Sequence, residues 1–146
     1  MTGGCLTCEP ETPPRWPLHS RLEFAALDTA PACARKHAKA VLLEWGLAAL
    51  ADTAELLVSE LVTNGVRASE ALPSGIVGLW LVSDGQSVVI HVWDGSDSMP
   101  VCQDADPDSA SGRGLLLVEG LGKDWGAYRK ASGKVVWVLI DDFTQE

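Results

Sequence analysis

Three short stretches of the chain hold side chains of the type and spacing that could do chemistry. In Glu60-Leu61-Val62-Thr63-Asn64 a carboxylate and an amide stand four residues apart. On a helix that spacing puts both on one face, one turn apart, within reach of the same object. The carboxylate can take a proton from a hydroxyl, and the amide oxygen is a hard ligand for Mg²⁺. A solvated helix face is the other reading of the same spacing. In Ser87–Asp94, alternation places Val88, Ile90, Val92 and Asp94 on one side of a strand, with Val89, His91 and Trp93 on the other. Asp94 thus ends a core-facing row, where a carboxylate is costly without a donor. The exocyclic amine of adenine is one such donor, and a backbone N–H in the following turn is another. Ser111-Gly112-Arg113-Gly114 opens a helical pattern, and glycines at a helix N-terminus let backbone N–H groups approach a phosphate.

The elements that must position these groups follow from the pattern. Residues 20–27 alternate as a strand. Pro31 suits a first helical turn after Asp28 or Thr29 as caps, and the helix 31–45 is closed by Gly46. A second helix is predicted from about Asp52 to Ala71, capped by Asp52 or Thr53 and stopped by Pro73. It carries Thr53, Glu60, Thr63, Asn64 and Arg67 on one stripe beside an apolar face of Ala54, Leu57, Val58, Leu61 and Gly65. Strands Ile76–Ser83 and Ser87–Asp94 are joined by the turn Asp84-Gly85-Gln86. A long loop at 95–111, of the kind used as lids or binding loops, leads to a short helix from Gly112 to Leu121. Two more strands, about Asp124–Arg129 and Lys134–Asp141, turn at Ser132-Gly133. This order predicts an α+β fold: a two-layer sandwich of a mostly antiparallel mixed sheet with helices on one face.

Size and composition bound the function. The 146 residues suit one domain, read as a Pro-rich leader over 1–18 followed by a folded body over 19–146. Apolar residues make up 47% and charged residues 21%, a globular balance. The net charge of −9 argues against direct nucleic-acid binding, which depends on cations that neutralise phosphates. The apolar runs are far shorter than the ~20 residues of a membrane span, and the N-terminus lacks the pattern of a secretory signal. The expected location is cytoplasmic. Cys5 and Cys8 form half of a zinc-type spacing, but Cys33, Cys102 and the three histidines supply no matching half.

Taken in order, ELVTN (Glu60–Asn64), VWDGS (Val92–Ser96) and GRGLLLVEGLGKDWG (Gly112–Gly126) resemble the GHKL ATPase superfamily of gyrase, sensor histidine kinases and MutL proteins. The similarity runs over about residues 20–142 and is nearest to the small anti-sigma-factor serine kinases, the RsbW-like branch. The resemblance implies ATP and Mg²⁺ as cofactors and a histidine-kinase/gyrase-type fold. It implies serine/threonine kinase activity on a partner protein. Glu60 would be the general base and Asn64 the Mg²⁺ ligand, while Asp94 would accept the adenine amine. Gly112, Gly114 and the helix start at Leu115 would close on the phosphates, with Arg113 adding a cation; Ser96 is a further nucleotide-contacting position. Implied partners are a sigma factor, an anti-anti-sigma protein carrying the serine, or a second copy of the chain. The chain departs from the family at D-x-G-x-G, which reads Asp94-Gly95-Ser96-Asp97-Ser98. It departs again at Val135, where relatives often carry a threonine near the base. A nonenzymatic module of the same fold is the alternative. Trp80, Trp93 and Trp137 each fall in a strand. If they share the face opposite Asp94, they form a patch suited to protein contact.

Overall fold

The computed structural model describes residues 16–69, 75–96 and 120–141. Among these residues five strands and two helices follow one another as β1 (Leu18–Ala25), α1 (Ala30–Glu44), α2 (Ala48–Ser69), β2 (Ile76–Ser83), β3 (Ser87–Asp94), β4 (Asp124–Lys130) and β5 (Gly133–Asp141). The sheet has the order β1-β2-β3-β5-β4, and all four of its pairings are antiparallel. Both helices lie on one face: α2 packs on β2 and β3, and α1 packs chiefly on α2. The expected two-layer α+β architecture is what forms.

Local chemistry explains most boundaries. The β2–β3 turn is held by Asp84, whose Oδ1 accepts from the N–H groups of Gln86 and Ser87 at 2.9 Å. Gly85 takes a φ of +97°, a conformation that glycine adopts without a Cβ penalty. Gly46, at +77°, breaks the chain between the helices. There the expected caps fail: α2 begins at Ala48, upstream of Asp52 and Thr53. Leu47, Leu50 and Ala51 are buried, so packing of the first turn outweighs the local capping preference of the later residues. β1 starts at Leu18 rather than 20, because it pairs along the whole of β2 from Leu18↔Ser83 to Ala25↔Ile76. The β4–β5 turn is made by Ala131 and Ser132, both at positive φ, and Gly133 already belongs to β5.

The apolar side of α2, with Ala54, Leu57, Val58, Leu61 and Gly65 all buried, meets the inward row of the sheet. That row includes Leu79, Leu81, Ile90, Val92 and Val138. Gly65 sets the approach. A Cβ there would stand 3.3 Å from Val77 and 3.5 Å from Val92, so the helix backbone lies directly on the strand pair that ends at Asp94. A second, smaller cluster covers the other face, built on Val82, Val89, Tyr128, Val135 and Trp137, with Trp16, Trp80, Trp93 and Leu139 packed on it.

Candidate functional site

The structure brings two of the three chemical stretches to one end of the sheet. Glu60 and Asn64 lie half-buried on α2. Gly65, the next residue after Asn64, rests against Val77 and Val92, and Val77 is the register partner of Asp94. Asn64 is therefore carried to the Asp94 end of the sheet, with Glu60 one turn back along the same helix. Among the described residues neither side chain is committed to a hydrogen bond. Gly112, Arg113, Gly114 and Leu115, with most of the expected loop and of the helix after it, fall outside the described residues.

Asp94 sits on the helix side, as the alternation requires, and is only 3% exposed. Its carboxylate is well supplied with donors. The Ser96 backbone N–H donates to Oδ1 at 2.9 Å, an Asx turn. Lys134 Nζ donates to both oxygens at 2.9 Å, forming an ion pair in which the two side chains are 8% and 4% exposed. The register places this lysine directly opposite: Asp94↔Lys134 closes the β3–β5 pairing. Removing one partner of such a buried pair costs about 3–5 kcal/mol, because the other charge is left desolvated.

Lys134 was not among the residues singled out in the sequence, although a signal for it exists. Val136, Val138 and Ile140 alternate inward along β5, and one more step back along that period lands on Lys134. The same period corrects the reading of Val135. Val135 pairs with Trp93 on the opposite face and belongs to the tryptophan cluster, so Lys134, not Val135, is the β5 residue at the Asp94 carboxylate.

The open face, the one without helices, carries the aromatic row, in which His91 and Trp137 are buried and Trp80 and Trp93 half-buried. Trp80 pairs with His91 and His91 with Trp137, so all three share one side, and Trp93 joins them there. Trp80 and His91 stack with centroids 4.7 Å apart. Arg21 and Lys130 flank the Trp80 ring at 5.5 and 5.1 Å. A cavity of about 300 Å³ opens among Arg21, Glu23, Trp80, Trp93 and Lys130. Burial pushes the His91 imidazole down to about 4, with the Lys130 charge adding to the shift and the contact with the Trp80 carbonyl opposing it. That carbonyl can only accept, so Nδ1, 3.3 Å away, carries the proton, and Nε2 is a buried acceptor without a partner among the described residues.

A scan against protein families matches residues 24–140 to the histidine kinase-like ATPase domain. The chain belongs to this family. The match covers both helices, β2 to β4, β5 up to Ile140 and only the last two residues of β1, and it includes the Glu60, Asn64, Asp94 and Lys134 positions. As a histidine kinase-like ATPase domain it is an ATP-binding fold. No curated protein shows significant similarity to the chain. Among the described residues no helix is long and apolar enough to cross a membrane. Nor do any three His, Cys, Asp or Glu side chains there cluster to hold a metal ion.

Proposed function

We propose that this ATPase domain is a serine/threonine protein kinase of the anti-sigma type, working in a partner-switching circuit. The observation that supports this most is the placement of Glu60 and Asn64. They form a carboxylate–amide pair on one helix face, without a hydrogen bond among the described residues, and Gly65 seats that helix against the strand end bearing Asp94.

The donor set suits a nucleotide with Mg²⁺. Asp94 would take the adenine amine and Asn64 would hold the metal through its amide oxygen, with Ser96 at the base end. Bound Mg²⁺-ATP supplies the phosphoryl group and neutralises charge on it. The residues of the chain position and move a proton. Glu60, half-buried, accepts the proton of a partner's serine hydroxyl, which makes the oxygen a better nucleophile. Asn64, one turn further on, holds its oxygen on the same side of the helix. Gly112, Arg113, Gly114 and Leu115 would supply backbone N–H groups and one cation to the phosphates.

The partner would be a sigma factor or an anti-anti-sigma protein, with a homodimer as a further assembly; the half-buried Trp80 and Trp93, which border the cavity with Arg21 and Lys130, offer a contact point. A second reading, a nonenzymatic regulator of the same fold, is favoured by one specific observation: Lys134 already engages both oxygens of Asp94.

Calorimetric titration with ATP, with and without Mg²⁺, separates the two. The kinase reading expects saturable binding strengthened by Mg²⁺ and lost in Asp94→Asn, with circular dichroism confirming that the variant folds. Glu60→Ala should abolish transfer to a partner serine while ATP binding persists. Absence of binding at millimolar ATP leaves the protein-binding scaffold as the function.

A further inference from the structure

The ion pair at the end of the β3–β5 pairing has a hydrogen-bonding capacity that can be counted. An ionised carboxylate offers about four acceptor positions. Among the described residues Asp94 uses two on Lys134 and one on the Ser96 N–H, which leaves about one. An ammonium has three protons. Lys134 directs two at Asp94 and has no other hydrogen bond among the described residues. Among the described residues, one acceptor position and one donor therefore stand open side by side at a single buried point. A lone carboxylate reads only a donor; this pair reads a donor next to an acceptor.

The edge of adenine is such a pair, with the exocyclic amine beside the ring nitrogen N1. We infer that Lys134 is a specificity-determining residue of the nucleotide site, donating its third proton to N1 while Asp94 accepts from the amine. This rests on the nucleotide reading above and adds a second point of base recognition to it. A 6-oxopurine presents acceptor and donor in the reverse order along the same edge, so the pair favours adenine over guanine or hypoxanthine. The lysine is also well placed to be precise. It is held by both oxygens of its partner, and Gly133 before it packs under the Trp93 indole and the Asp94 carbonyl, which fixes the start of β5.

The test compares ATP with 1-deaza-ATP, in which N1 is replaced by C–H while the amine is kept. Affinities are measured by competition calorimetry on the full chain and on Lys134→Met. Hydrogen bonds to charged groups predict that the wild-type protein binds the analogue about ten-fold or more weaker than ATP, and that this ratio collapses toward one in Lys134→Met. A merely structural role for Lys134 would weaken both ligands alike and leave the ratio unchanged; that outcome overturns the inference. So does equal binding of the two ligands by the wild-type protein, which decides the matter even if Lys134→Met does not fold. Lys134→Gln, which keeps a neutral donor, is expected to fall between the two ratios. ATP binding without discrimination removes the role of Lys134 alone, whereas no binding of either nucleotide removes the nucleotide reading itself.

Discussion

His91 and Asp94 lie three residues apart on β3, on opposite faces of the sheet, and both are nearly removed from water, at 2% and 3% exposure. They meet the cost of burial in opposite ways. Asp94 is surrounded by donors, a backbone N–H and an ammonium, and stands in a full ion pair. His91 lies between Trp80 and Trp137 with Lys130 nearby, and stays neutral. Any proton added to His91 would be cut off from water and would stand near the charge of Lys130. The helix side of the sheet is thus built to keep a charge and to present it at a site. On the open side the buried ring of His91 is kept neutral, and the charges of Arg21 and Lys130 stay at the exposed rim over Trp80.

The strongest way to break this contrast is to orphan the charge that the helix side keeps. Lys134→Met should lower unfolding stability by about 3–5 kcal/mol in denaturant titration, since the Asp94 carboxylate remains buried without its partner. Adding Asp94→Asn to the same chain should recover most of that loss. If the single variant is as stable as the wild type, the pair is not buried as described. The open side is probed by acid instead. The folded imidazole titrates near 4 and the unfolded one near 6.5, so the unfolded chain binds the proton first as pH falls. Stability should be level above about pH 6.5, fall by about 3 kcal/mol toward pH 4, and level off below that in this one contribution. The difference curve between wild type and His91→Phe, which keeps a stacked ring, isolates it. A flat difference would show that His91 protonates freely in the fold.

How much of this was legible in the sequence depends on whether local and tertiary signals agree. β2 and β3 were readable to the residue, because clean alternation is bounded by a turn whose Asp84 and Gly85 each have a local reason to be there. The inward position of Asp94 followed from the same alternation. The start of α2 was not readable: Asp52 and Thr53 look like caps, and only the buried leucines around Ala48 show why the helix begins earlier. The partner of Asp94 was hidden for a different reason. Lys134 lies forty residues away in the chain, and its link to Asp94 depends on the register between β3 and β5, which neither strand specifies alone. The shared face of the tryptophans was conditional on orientation for the same reason, and the register made it definite.

Gly133 joins the two faces and gives a smaller, sharper perturbation. A Cβ there would lie 2.8 and 2.9 Å from Trp93 ring carbons and closer still to the Asp94 carbonyl oxygen. The Trp93 Nε1–H, meanwhile, donates to the Lys130 carbonyl at 2.8 Å. Gly133→Ala should therefore cost about 2 kcal/mol through overpacking and shift Trp93, visible as a change in indole emission. An alanine tolerated without either change would mean that β5 does not approach β3 this closely.

The smallest expected effect separates the two cations over Trp80, and it tests the open face most finely. Arg21 and Lys130 stand at similar distances from the ring, 5.5 and 5.1 Å, and both are exposed. As cation–π partners at a surface each is worth about 0.5–1 kcal/mol, so Arg21→Met and Lys130→Met should lower stability by similar small amounts near neutral pH. They differ in what they do to His91. Lys130 contributes to lowering the imidazole, and Arg21 does not figure among the causes. Removing Lys130 should therefore raise the His91 titration point from about 4 toward its ordinary value, while removing Arg21 leaves it in place. An NMR titration of the imidazole in the two variants reads this directly. Equal movement in both would make the low value a general property of a positive pocket. No movement in either would assign it to burial alone, and the neutrality of His91 would then need no help from the cations around Trp80.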